Sequence, residues 1–185
     1  PKGTEHFLSD IHGEYEAFSH VLRNGSGAVR KKIDDVFGHT LGISEKRALA
    51  TLIYYPRERL EMEKKQQEDI DDWYKVMLYR LIDVCKIVSS KYTRSKVRKA
   101  MPSEYSYILD ELLHAQADED NNQFVYHQKI IDTLLKLGEG DDFIIALSSL
   151  IKRLAVDHLH IVGDIFDRGE RPDAILNMLM QHHSL

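Results

Sequence analysis

Two short apolar segments, one near each end of the sequence, constrain the fold of this chain more than any other feature. Residues 5–9 and 158–163 both have the length and composition of a strand, and each is followed by a loop that contains acids and a glycine. In an open α/β sheet, ligands bind outside the carboxyl ends of the parallel strands. If these two strands are neighbours, the residues that follow them converge on one site.

The second loop presents two carboxylates and a guanidinium in a short space: Asp164, Asp167 and Arg168. Such crowding is unfavourable unless something binds these groups. A divalent cation suits the acids, and a phosphate suits the arginine, whose planar fork can hold two oxygens. The first loop offers Asp10 and His12, and side chains two apart on an extended chain point the same way, so these two can chelate one ion.

Each half of this pattern also has a simpler interpretation. Asp-x-His-Gly at a strand end is commonly just a polar turn. In the second loop, Asp167 can cap a turn while Arg168 pairs with it. The two halves together, in this order, favour the metal site.

The two loops resemble known motifs. Asp-x-His-Gly at residues 10–13, followed by Gly-Asp-x-x-Asp-Arg-Gly at residues 163–169, is similar to the first two motifs of the calcineurin-like metallophosphoesterases. With the long helical stretch between them, the run over residues 157–169 looks most like the class III fructose-1,6-bisphosphatases. The resemblance covers the whole sequence but only the N-terminal part of that family. The family's later motifs, an Asn-His-acid turn and two histidine motifs, are not found in these 185 residues. Because the first residue is also not methionine, we expect an excised N-terminal piece that hydrolyses no phosphoester on its own.

The resemblance implies roles for five residues. Asp10 and His12 would hold one metal ion, and Asp164 would bridge two. Asp167 and Arg168 would be catalytic, Asp167 by orienting a histidine of a later motif and Arg168 by binding the substrate phosphate. The implied cofactor of the full-length protein is two divalent ions, with Mn²⁺ favoured. The implied reaction is hydrolysis of fructose 1,6-bisphosphate to fructose 6-phosphate and phosphate, a step of gluconeogenesis.

The segment between the motifs shows helical periodicity and no convincing strand. Its longest helix is predicted at residues 60–91. A simple βαβ crossover needs roughly 30 residues, so most of this segment is an insertion. We therefore predict an α/β fold: a partial metallophosphoesterase catalytic domain at residues 1–26 and 156–185, and an all-helical insertion between the first two strands at residues 27–155.

Composition excludes several classes of function. A net charge of −5 and a pI near 6.1 argue against a nucleic-acid-binding protein, which would show a basic face. The single Cys85 excludes an intramolecular disulfide, and its apolar neighbours predict a buried structural thiol in a reducing compartment. The apolar runs are too short to span a membrane. We expect a cytoplasmic protein that acts on a small phosphorylated sugar without membrane contact.

Other interpretations of these features remain open. Ser/Thr protein phosphatases and dinucleoside tetraphosphatases share both motifs, but they usually join them by a short crossover. A non-catalytic helical interaction module with a degenerate metal site is an alternative from another class, although the intact acids and Arg168 count against it. The acidic run at residues 118–123 lacks the residues of an EF-hand loop and predicts a polar turn. His158 and His160 alternate with apolar residues, so they share a strand face and have structural or supporting roles.

Overall fold

The computed structural model describes residues 3–114 and 122–182. Two strands, β1 (Glu5–Ser9) and β2 (His158–Val162), pair in parallel along their whole length, with Glu5 opposite His158 and Ser9 opposite Val162. The predicted strands are confirmed, and they are neighbours, which was the condition for the two motifs to converge. Most of the predicted polar turn at residues 118–123 lies outside the described residues.

The rest of the described chain is mainly helical, so the fold is mixed α/β, as predicted. In chain order the helices are α1 (Tyr15–Asn24), α2 (Ala28–Phe37), α3 (Ile43–Tyr54), α4 (Pro56–Gln66), α5 (Ile70–Ser89), α6 (Arg94–Ala100), α7 (Ser106–His114), α8 (Asn122–Lys136), α9 (Gly140–Ala155) and α10 (Pro172–Met180). None of these helices, over the described residues, is long and apolar enough to cross a membrane.

The predicted helix over residues 60–91 is wrong: two helices, α4 and α5, occupy this range. The cause is a cap at Asp69, directly before the apolar stripe of α5 begins at Ile70. The Asp69 carboxylate accepts hydrogen bonds from the backbone N–H groups of Asp71 (3.1 Å) and Asp72 (3.2 Å), which starts a new helix there. No apolar residue stands between Met62 and Ile70, so the sequence does mark this break, by a polar run that ends in a capping residue.

A large apolar core lies among the helices, with α5 and α9 at its centre. The buried stripe of α9 recurs at helical spacing and consists of Phe143, Ile144, Leu147, Leu150, Ile151 and Leu154. Cys85 is completely buried in this core, and burial raises the pKa of its thiol to about 12. The predicted buried thiol is therefore confirmed.

A second, smaller apolar core lies between the sheet, α1 and α10. Its buried members are Ile11, Phe18, Leu159, Ile175 and Leu179. The buried residues of the larger core lie within residues 27–155, and those of the smaller core lie outside that range. The sequence analysis predicted the domain boundaries at the two ends of this range. The division into domains stays a prediction.

Asp157 joins the helical core to the beginning of both strands. Its carboxylate is 5% exposed and accepts hydrogen bonds from the backbone N–H of Thr4 (2.7 Å), the ammonium of Lys91 (2.8 Å) and the hydroxyl of Tyr92 (2.6 Å). The ammonium of Lys96 lies 3.2 Å away. Burial opposes ionisation, but the hydrogen bonds from Lys91 and Tyr92 outweigh it and hold the pKa of Asp157 well below its usual value.

Replacing this carboxylate by an amide should destabilise the fold. Asp157→Asn removes the charge that neutralises Lys91, and we expect the free energy of unfolding at pH 7 to fall by about 2–4 kcal/mol. Urea unfolding followed by circular dichroism measures this change. Asp34→Asn is the matched control, because Asp34 pairs with Lys46 at an exposed site and its loss should change little.

The pH dependence provides a second check on Asp157. Since its pKa is depressed in the folded state, its contribution to stability is present above about pH 4 and is lost as the pH falls below that value. The unfolding free energy of the wild type should therefore decline more steeply below pH 4 than that of Asp157→Asn. Parallel pH profiles would contradict the role given to this carboxylate.

Candidate metal and phosphate site

The loops that follow β1 and β2 run side by side beyond the ends of the strands. The backbone N–H of Asp10 donates to the carbonyl oxygen of Val162 (3.0 Å), and that of His12 donates to the carbonyl oxygen of Asp164 (3.1 Å). The two chains therefore stay paired through the first residues of both motifs. This pairing places His12 next to Asp164.

Three side chains from the two loops form a cluster of potential metal ligands. One nitrogen of His12 and one carboxylate oxygen each of Asp164 and Asp167 lie within 4.8 Å of one another. Of the histidines and acids among the described residues, these three lie close enough together to share an ion. His12 is half-buried, whereas Asp164 and Asp167 are exposed. A set of one imidazole and two carboxylates fits Mn²⁺, iron or Zn²⁺, so the residues present suit a divalent metal.

Asp167 also orients the imidazole of His12. The two side chains share a hydrogen bond between Nδ1 of His12 and Oδ1 of Asp167. This bond, with a smaller contribution from the charge of Arg168, lowers the pKa of Asp167. An ionised carboxylate can only accept, so Nδ1 is the donor, and the neutral tautomer with its proton on Nδ1 leaves the Nε2 lone pair for a metal. The resemblance implied that Asp167 orients a histidine of a later motif; among the described residues, the histidine that it contacts is His12.

Asp10 lies outside this cluster. The strand ends at Ser9, and both Asp10 and His12 have a φ of 52°, which is left-handed rather than extended. The alternation of an extended chain, which supported the prediction of a shared ion, does not apply there. The carboxylate of Asp10 instead lies over Gly163, where an added Cβ would be 3.2 Å from Cγ of Asp10. Its role as a ligand stays a prediction.

The left-handed backbone is itself informative. Non-glycine residues are uncommon in this region, although Asp and His tolerate it better than most. Such conformations cluster at functional sites, where the surrounding structure holds them in place. Here, two of the three predicted metal ligands adopt it within one loop.

Arg168 lies at the edge of the cluster. Its side chain is 76% exposed, and Nε is 3.5 Å from Oδ2 of Asp167. The guanidinium therefore faces solvent beside the acids, where an incoming anion can reach it. A single ion pair at this exposure contributes little to stability, and the role of Arg168 in binding phosphate stays a prediction.

Two motif glycines allow the loops to touch. The N–H of Gly169 donates to the carbonyl oxygen of His12 (2.5 Å), and the N–H of Arg171 donates to that of Gly13 (3.3 Å). A Cβ on Gly169 would lie 2.5 Å from the same His12 oxygen, closer than real Cβ atoms come. Gly13 also has a φ of 74°, which disfavours other residues. The backbones of the two motifs meet at glycine because no other residue fits.

Sequence reasoning anticipated some of the surrounding residues and missed one. His158 and His160 share the exposed face of β2, as predicted, and the His160 ring stacks on Phe7 with centroids 4.5 Å apart. Neither histidine belongs to the metal-ligand cluster of the described residues. Asp157 was not singled out, because its partners Lys91 and Tyr92 are far away in the sequence and no local pattern connects them.

The contact between glycines predicts a specific sensitivity. Gly169→Ala should force the two loops apart, lower the free energy of unfolding by about 1–3 kcal/mol and weaken Mn²⁺ binding by the full-length protein. Gly42→Ala is the control for the added methyl group, since a Cβ there meets its nearest atom at an ordinary 3.6 Å and only the N-cap of α3 is affected, far from the two motifs in the sequence. Urea unfolding and Mn²⁺ titration compare the two variants. Equal behaviour of both would show that the loops do not need this contact.

Comparisons with known proteins show the family of the chain. A family model described as Firmicute fructose-1,6-bisphosphatase matches residues 1–185. Similar proteins named fructose-1,6-bisphosphatase class 3 occur in Clostridium acetobutylicum (59% identical) and Clostridium tetani (57% identical), and the similarity covers 100% of this chain and 28% of each relative. The chain thus spans just over a quarter of the length of these relatives. No solved structure matches it. On the match over all 185 residues, the chain belongs to the family of Firmicute fructose-1,6-bisphosphatases.

Proposed function

We propose that the full-length protein containing this sequence is a metal-dependent fructose-1,6-bisphosphatase, which hydrolyses the 1-phosphate of fructose 1,6-bisphosphate. The main supporting observation is the cluster of His12, Asp164 and Asp167 beside the exposed Arg168, where two paired strands end. Family membership supports the choice of substrate, because the cluster alone specifies only a phosphoester. Since the chain spans 28% of its relatives, the activity is proposed for the whole protein.

The finer description of the fold belongs to the same proposal. We infer that β1 and β2 are two neighbouring strands of a metallophosphoesterase sheet and that residues 27–155 are a helical insertion between them. The support is the parallel pairing of strands that are far apart in the sequence, with a separate helical core between them. The cytoplasm is the proposed compartment, which suits an enzyme of sugar metabolism with a thiol buried in its core.

The proposed cofactor is two divalent ions, with Mn²⁺ as the first candidate. His12 and Asp164 would hold an ion directly, and Asp10 is the further predicted ligand. Asp164 would bridge the two ions. When bound, such ions polarise phosphoryl oxygens and lower the pKa of coordinated water.

The residues of the chain have separate tasks in this reaction. The Asp167 carboxylate fixes the orientation of the His12 ring and selects Nε2 as the nitrogen that can bind a metal. The guanidinium of Arg168 binds the substrate phosphate with two donors and stabilises the negative charge that develops during transfer. The formal charge of these 185 residues is −5, so the local positive charges of Arg168 and of the bound ions would attract the anionic substrate.

The function is tested by the metal requirement of the full-length protein. It should release phosphate from fructose 1,6-bisphosphate in Mn²⁺, lose that activity in excess chelator, and regain it when Mn²⁺ is restored. Undiminished turnover in chelator would exclude the metal mechanism. Turnover of phosphopeptides but not of the sugar bisphosphate would instead favour a protein phosphatase.

Two substitutions separate the proposed roles of the site residues. Asp164→Asn should reduce metal content and activity together, because it weakens a direct ligand. Arg168→Ala should keep the metal content and lower kcat/KM by about 100-fold, as expected for the loss of a phosphate-binding donor. Asp173→Asn, at an exposed acid in the first turn of α10, is the control and should change neither quantity. Metal content that survives Asp164→Asn unchanged would remove Asp164 from the ligand set.

A further inference from the structure

The proposed substrate carries two phosphates, and the residues assigned so far account for one of them. Arg168, beside the candidate metal ligands, is assigned to the 1-phosphate that is hydrolysed. The phosphate at the other end of the sugar loses water when it binds, and this loss is unfavourable unless a protein group replaces the water. A second cationic side chain near the motif loops would bind that phosphate and distinguish a bisphosphate from a monophosphate.

Few lysines and arginines are available for this task in the two segments that form the strands and the motifs. Residues 1–26 and 156–185 contain Lys2, Arg23, Arg168 and Arg171. Lys2 precedes β1 in the sequence, and Arg23 lies in the last turn of α1, so neither follows a strand end as the motif loops do. Arg171 is therefore the remaining lysine or arginine of these segments at the motif loops.

The backbone of Arg171 is anchored beside the candidate ligand His12. Its N–H donates to the carbonyl oxygen of Gly13 (3.3 Å), and the N–H of Tyr15 donates to the same oxygen (3.0 Å). Arg171 also lies three residues after Arg168, so their Cα atoms are at most roughly 11 Å apart. Two arginine side chains at this spacing are close enough to bind the two ends of one sugar bisphosphate.

The ring of Tyr15 holds the guanidinium of Arg171. The central carbon of the guanidinium lies over this ring, 5.3 Å from its centroid. A cation over an aromatic face is attracted to it without giving up its N–H donors, which stay available for an anion.

The surroundings of this guanidinium also suit an anionic ligand. Among the residues that the structure describes, no carboxylate forms an ion pair with Arg171, whereas Arg168 lies beside Asp167. Arg171 and Tyr15 both line an open cleft of about 470 Å³ along α10, so a phosphate can reach them. An arginine that is held by a ring, accessible and without an acidic partner is suited to bind a phosphate.

We propose that Arg171 binds the phosphate of fructose 1,6-bisphosphate that is not hydrolysed, and that Tyr15 is a positioning residue that keeps the guanidinium beside the motif loops. Arg171 then determines specificity for a bisphosphate, because a sugar monophosphate cannot engage both Arg168 and Arg171 through phosphate groups. This inference rests on the proposed function, and it names the residue that selects the substrate of the same site.

Calorimetry with the full-length protein in Mn²⁺ tests this role without turnover. Fructose 6-phosphate is the probe, because it carries only the phosphate that Arg171 would bind. Arg171→Met should weaken its binding at least about tenfold, since a pair of charge-assisted hydrogen bonds is lost. Arg171→Lys should have an intermediate effect, because it keeps the charge but not the planar fork. Arg47→Met, at an exposed arginine of α3, is the control and should bind the probe as the wild type does.

Kinetics give a second readout. Arg171→Met should lower kcat/KM for fructose 1,6-bisphosphate at least about tenfold more than kcat/KM for fructose 1-phosphate, which lacks the second phosphate. Equal losses for the two substrates, or unchanged binding of fructose 6-phosphate, would overturn the role of Arg171 and leave the proposed function in place. A wild type that hydrolyses no fructose 1,6-bisphosphate would overturn both.

Discussion

The parallel pairing of β1 with β2 is the interaction on which the rest of this structure depends. Without it, His12 and Asp164 would have no reason to meet, since more than 140 residues separate the two strands. The pairing continues past the strand ends through the hydrogen bond from the N–H of His12 to the carbonyl of Asp164. The N–H of Gly169 then donates back to the carbonyl of His12. Contacts between backbone groups are therefore enough to bring the candidate ligands together.

The helical core makes this long-range pairing possible. Ordering the intervening chain into packed helices fixes where β1 and β2 begin, and Asp157 connects that core to the strands through Thr4, Lys91 and Tyr92. Removing one partner of a buried ion pair is strongly destabilising, which makes this connection sensitive to single changes. The helices thus have a structural role in the site even though none of the clustered ligands belongs to them.

Much of this arrangement could be predicted from the sequence, and the exceptions have physical causes. The two strands and the burial of Cys85 follow from short apolar runs and apolar neighbours, which are local signals, whereas the adjacency of the strands was only a condition for the site. The break between α4 and α5 was missed because the single predicted helix ignored the polar run that ends in the cap Asp69. The orientation of Asp10 was missed because an extended backbone was assumed where the chain is left-handed. Contacts such as that of Asp157 with Lys91 depend on tertiary structure and leave no local pattern.

The most direct test of this account is the location of a bound metal ion. Crystals of the full-length protein grown with Mn²⁺ can be measured at the manganese absorption edge, where anomalous scattering reveals the ion itself. The account predicts an anomalous peak at about 2.0–2.4 Å from a ring nitrogen of His12 and a carboxylate oxygen of Asp164. An ion bound elsewhere, with both of these residues outside its coordination shell, would contradict it.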